Sequence, residues 1–132
     1  ALEHATGRPP VLVCHSMGGL VARAWLRTTD ARRVAHVVTI GSPHGGTWIA
    51  RFSHVRNGVQ MRLASSWIRA LPQPADPARF TCWHSDCDNM VFPPSSAILA
   101  GADNRLLRGP AHVDLAFEPP VMDHTFALVR AL

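Results

Sequence analysis

Short unbroken apolar runs alternate along this chain with segments whose apolar residues recur at helical spacing. Residues 10–14, Pro-Val-Leu-Val-Cys, form the first run and read as a strand buried on both faces. Residues 15–19 turn sharply. From Leu20 the pattern is helical, with Leu20, Val21, Ala24, Trp25 and Leu26 on one broad face and Arg23 and Arg27 elsewhere. Residues 34–40 read as a second buried strand, closed by Gly41-Ser42-Pro43. A flexible loop, His44-Gly45-Gly46-Thr47, follows. Residues 48–71 read as mostly helical, because Met61, Ala64, Trp67, Ile68 and Leu71 sit at helical spacing. Pro72, Pro74 and Pro77 end that segment and open a linker.

Residues 79–84 predict a third strand, with Asp86, Asp88 and Asn89 in its exit turn. Residues 104–108 predict a short fourth strand ending at Gly109. Residues 121–132 predict a final helix with Val121, Phe126, Val129 and Leu132 apolar. The alternation of strands and helices is that of an α/β fold, a parallel sheet flanked by helices with right-handed crossovers. Residues 1–132 are expected to form a single domain. Within it, 48–78 is a candidate helical lid, or else a packed core helix. There is no internal repeat.

Composition changes this picture little. The chain has 132 residues, 47% hydrophobic and 17% charged, which fits a globular domain. No apolar run reaches the ~18 residues of a membrane span. The net charge is +4, and all 13 basic residues are arginines. They are scattered, so no nucleic-acid patch is expected. The first residue is Ala1 and no signal-peptide pattern follows, so the compartment cannot be read. Three cysteines, Cys14, Cys82 and Cys87, make an odd set. A local Cys82–Cys87 bridge and free thiols both remain open.

The chemistry concentrates at residues 11–19, Val-Leu-Val-Cys-His-Ser-Met-Gly-Gly. A strand runs into a tight turn bearing Ser16, and a helix begins at once, which is the arrangement of a nucleophile elbow. Such a turn needs small neighbours two residues before and after the serine. Gly18 meets that need, and Gly19 adds clearance. The helix start behind Ser16 supplies backbone N–H groups for an oxyanion, with Met17 N–H the expected donor.

These residues resemble the α/β-hydrolase superfamily, in particular bacterial lipases and esterases with a His-Ser-Met-Gly-Gly elbow. The family usually has Gly two before the serine, and some lipases have Ala. Here Cys14 stands there, and some crowding of the turn is expected. Residues 38–47, Val-Thr-Ile-Gly-Ser-Pro-His-Gly-Gly-Thr, resemble the strand and loop that follow the nucleophile helix. Residues 88–93, Asp-Asn-Met-Val-Phe-Pro, resemble the family's acid turn. Residues 109–112, Gly-Pro-Ala-His, resemble its histidine loop. The order Ser16, Asp88, His112 is the family's order.

The resemblance implies a serine hydrolase that cleaves carboxylic esters, lipid esters among them. His112 would take the Ser16 proton and later protonate the leaving alcohol, while Asp88 orients the imidazole. Asp86 is the rival acid, disfavoured by its spacing to Val91. Among the other histidines, His15 and His44, with Gly18 and Pro43, are expected to line the site or pack beside it. His36 reads as a core residue, His84 as a supporting residue and His124 as surface. Ser42 lacks an elbow. No organic cofactor is expected. Some such lipases bind calcium, and Asp86 or Asp114 could supply oxygens, but no compact ligand cluster shows. The expected partner is a small-molecule ester or lipid substrate, with transient contact at a lipid interface.

The family's sheet has several strands before the nucleophile strand, and a loop there supplies the second oxyanion donor. Only about ten residues precede that strand here. The chain therefore reads as the C-terminal half of the fold, and a missing N-terminal half is expected to matter for activity. Two alternatives stay open within the hydrolase reading: a truncated, catalytically incompetent fragment, and a thioesterase or acyltransferase using the same triad. A binding module presenting the apolar helix 61–71 ranks last.

Overall fold

A computed structural model describes residues 6–132; the first five residues of the expected 1–132 domain lie outside the described part. Four strands, β1 (Val11–His15), β2 (His36–Ile40), β3 (Phe80–Ser85) and β4 (Asp103–Leu107), pair in that order, all parallel. Among the described residues four α-helices accompany them: α1 (Met17–Leu26), α2 (Arg56–Gln60), α3 (Ser66–Ala70) and α4 (Pro119–Ala131). This is the expected parallel sheet flanked by helices.

Alternation along the strands builds a core on each face. Val37, Phe80 and Cys82 pack toward α1 with Ala22, Val34 and Leu99. Val38, Ile40 and Trp83 pack on the other face with Leu115 and Val121 of the C-terminal segment. Leu20, Ile68 and Leu71 form a third cluster joining α1 to α3. Leu20 is fully buried, which contributes about 2 kcal/mol.

Three expectations change. β1 is half-buried rather than enclosed, and Val13 is 53% exposed, because among the described residues β1 is an edge strand that pairs with β2 alone. On α1 the buried face is Gly19, Leu20, Ala22 and Arg23, while Val21 and Trp25 are exposed. Arg23 turns inward because its guanidinium finds carbonyl acceptors on His44, Leu71 and Pro72.

The 48–71 segment is not one helix. It comprises a 3-10 turn, Trp48–Phe52, then α2 and α3. Two features break it. Ala64 takes a left-handed φ of 49° while its N–H bonds Gly45 O, so it belongs to no helix face. Ser65 then starts α3 afresh, its side chain accepting from Ile68 N–H. Of the spaced residues, Ile68 and Leu71 are buried, Met61 and Trp67 partly so.

Candidate active site

All the chemistry-bearing residues follow the C-terminal ends of parallel strands, where open α/β sheets place their sites. Ser16 follows β1, Gly41 follows β2, the 86–92 turn follows β3 and the 109–112 loop follows β4. Ser16 is half-buried, with φ 54° and ψ −124°. A non-glycine residue in that region costs on the order of 1–3 kcal/mol, and the surroundings must hold it there. A bond from Ser16 N–H to Ile40 O, 2.8 Å, is one restraint. Met17 is the first residue of α1, so its N–H belongs to the helix-start amides that intrahelical bonding leaves free.

Gly19, not Gly18, is the position that demands glycine. A Cβ on Gly19 would press on Ser42 Oγ and lie 2.7 Å from Ser42 Cβ and 3.0 Å from Thr39 Cγ2. A Cβ on Gly18 would meet only Cys14 Cβ, at an ordinary 3.5 Å. The crowding expected from Cys14 is therefore absent, and burial raises the pKa of its thiol. Cys82 is buried, Cys87 is exposed, and all three cysteines are free, so there is no Cys82–Cys87 bridge.

Asp88 and His112 form a buried pair. His112 Nδ1 lies 2.9 Å from Asp88 Oδ2 and 3.1 Å from Oδ1. Asp88 Oδ1 also accepts the N–H groups of Met90 and Val91, both at 2.8 Å. Burial pushes the Asp88 carboxyl up, but the bonds from His112, Val91 and Met90 outweigh it and hold the carboxyl below its usual range. Asp88 is thus an ionised acceptor, and its pairing makes Nδ1 the donor and leaves Nε2 outside the pair.

The histidine loop is pinned to the acid turn. His112 N–H donates to Asn89 Oδ1, 3.1 Å, and Gly109 N–H to Asp86 Oδ1, 3.0 Å. Ser85 Oγ donates to Pro110 O, 2.6 Å. Asp86 is exposed and fastens this loop rather than facing His112. His15 reaches across from the elbow: its Nε2–H donates to His112 O at 3.0 Å, and the two rings lie 4.7 Å apart.

Ser16 and the Asp88–His112 pair are brought together around residues 40 and 41. Ser16 bonds Ile40, while a Cβ on Gly41 would lie 3.1 Å from His112 Nδ1 and 3.2 Å from Asp88 Oδ2. Among the described residues no hydrogen bond joins Ser16 Oγ to the His112 ring.

Of the expected lining residues, His15 and Gly18 flank Ser16, and Pro43 is buried in the loop after β2. His44 is not brought into the site. It turns toward α1, its Nε2 3.2 Å from Thr39 Oγ1 and 3.7 Å from Cys82 Sγ. Burial, then the nearby Arg23 charge, lowers its pKa to about 3, so it is a neutral core imidazole. His36 is half-buried and bonds Thr81 Oγ1 at 2.9 Å. His124 is half-buried, its ring edge-on to Trp83, rather than a plain surface residue. His84 is buried in β3. Asp114 starts a 3-10 turn, Asp114–Phe117. Among the described residues no group of His, Cys, Asp or Glu is placed to hold a metal ion.

Residue reading missed Gly41 and Asn89 as parts of the site. The signal for Gly41 was its place directly after a strand. For Asn89 it was adjacency to the acid. A family profile described as PGAP1-like alpha/beta domain matches residues 4–90, more than half of the chain. No curated protein matches it.

Proposed function

This chain belongs to the PGAP1-like alpha/beta domain family, a lipase- and esterase-like group of α/β hydrolases, and on that premise we propose that it is a serine hydrolase of carboxylic esters. The observation that carries the reading is the buried Asp88–His112 pair beside a strained serine at a helix start.

In this reading Ser16 Oγ attacks the ester carbonyl as His112 Nε2 takes its proton. The new oxygen anion faces Met17 N–H and the start of α1. The C–O bond to the alcohol then breaks, and His112 returns the proton to the departing oxygen. Water, deprotonated by His112, attacks the acyl-serine; the acyl–Oγ bond breaks, and His112 returns the proton to Ser16 Oγ as the acid leaves. Asp88 stays ionised throughout and stabilises the imidazolium.

Exposed apolar side chains around the site favour lipid esters. Met90 and Phe92 project from the acid turn, and Val113 and Phe117 follow His112. Trp48 N–H bonds Phe92 O at 2.8 Å, placing the exposed Trp48 and Phe52 beside that turn, with Arg51 stacked 5.0 Å and 5.4 Å from their rings. This apolar rim with a cation suits transient contact with a lipid surface. Segment 48–78 then serves as a cover or side wall for the acyl chain. No helix is long and apolar enough to cross a membrane among the described residues.

The open outer edge of β1 favours a second reading, in which a further strand-bearing segment or chain completes the oxyanion hole. Burst kinetics with a chromogenic short-chain ester test both. A burst lost in Ser16→Ala supports the acyl-enzyme. Undiminished activity in Ser16→Ala rejects Ser16 as nucleophile. A folded chain with no burst supports the second reading.

A further inference from the structure

A cavity of about 320 Å³ lies on the α1 side of the sheet. Val34, just before β2, and Phe80, which opens β3, are among its walls, so it sits at the N-terminal strand ends. Ser16, Asp88 and His112 follow the opposite ends, about 15 Å along a five-residue strand. No residue is shared between the two places.

The cavity joins apolar walls to an excess of cations. Leu26, Val34, Val37 and Phe80 supply the apolar surface. Three arginines, Arg23, Arg27 and Arg79, face one carboxylate, Asp76, which is already engaged by Arg79 at 2.9 Å. Arg23 is only 6% exposed. Its guanidinium donates to the carbonyls of His44, Leu71 and Pro72, and its Nε has no partner among the described residues. No carboxylate pairs with it among those residues. Arg27 is exposed at the end of α1, and its side chain makes no bond or ion pair among them.

Burying a cation without a counter-charge is costly, and carbonyl oxygens offset only part of that cost. Low-dielectric walls also concentrate the arginine field inside the cavity. Its volume falls within the range of small-molecule sites. We propose that this cavity binds a single-chain anionic amphiphile, a medium-length carboxylate being the simplest. The tail lies against Leu26, Val37 and Phe80, and the carboxylate faces Arg23 and Arg27. The site is independent of the ester-hydrolase reading.

Calorimetric titration of the folded chain with octanoate, octanol and octyltrimethylammonium tests this. Octanoate is expected to saturate at one per chain, octanol to bind at least about tenfold more weakly, and the cation not to bind. Arg27→Glu, an exposed change, is expected to weaken octanoate about tenfold while ester hydrolysis is unchanged. Leu26→Trp, checked for folding by circular dichroism, is expected to abolish binding by filling the cavity. Blocking Ser16 with a phosphonate is expected to leave binding intact. Equal affinity for octanol, indifference to Arg27→Glu, or no saturable binding would overturn the proposal. Loss of binding on blocking Ser16 would also overturn it, by moving the ligand to the ester site.

Discussion

At the scale of single residues, reactive groups and spacers were unequally legible. The Asp88–His112 pairing was legible because each residue sits in a short motif whose order carries meaning. Gly41 and Asn89 were not, since their roles depend on which loop comes near them in space. Gly41 gives His112 and Asp88 room that any Cβ would take, and its place after a strand marks a turn without saying which side chains come near it. The elbow glycines show the same divide. Gly19→Ala should destabilise the chain by about 1–3 kcal/mol through overpacking against Ser42, whereas Gly18→Ala should cost little. Thermal melts of both variants check this, and equal losses would refute it. Asp88→Asn addresses the site itself. It can no longer hold Nδ1–H as the donor, so kcat should drop about 10⁴-fold with the fold retained. A small loss would mean that the Asp88–His112 pair is structural.

At the scale of elements, periodicity located every strand to within two residues, yet misread two helical segments. In 48–71 the apolar spacing was genuine, and Ile68 and Leu71 are buried. The segment is broken because Ala64 is tied to the 44–47 loop, a long-range bond that no spacing records. On α1 the polar Arg23 took a core position because three carbonyls from distant residues converge there. Strand β1 raises the opposite issue. Its apolar run was read as enclosed, but among the described residues its outer edge has no strand partner, and Val13 is exposed. Unpaired apolar edges recruit other strands. The chain is therefore expected to associate as its concentration rises, and Val13→Lys to suppress this. Sedimentation velocity over a concentration series measures both. A monomer at all concentrations would show that the edge is protected.

At the scale of the molecule, the alternation of elements was enough to give a parallel sheet with its chemistry at one end, since topology follows from element order. What pattern could not give was the state of groups buried between layers, and His44 is the sharpest case. It was expected to line the site or pack beside it, and it packs between β2, β3 and Arg23 as a neutral ring. That burial has a consequence in acid. In the unfolded chain a histidine titrates near 6.5, whereas His44 in the folded chain titrates at about 3. Between those values the unfolded state takes up a proton that the folded state refuses, so stability falls as pH drops from about 6.5 toward 3. Asp88 acts lower. Its folded value is depressed, so its contribution is intact above about 3.9 and is lost as pH falls through that lowered value. Burial also lowers the pKa of His36 and of His124, which add to the loss in the upper range. His44→Gln should therefore reduce the fall in denaturant midpoint between about pH 6 and 4 without removing it, and leave the carboxylate-linked loss below it. If the parent and His44→Gln curves run parallel between pH 6 and 4, His44 is protonated in the folded chain, and the buried neutral imidazole between α1 and the sheet is wrong.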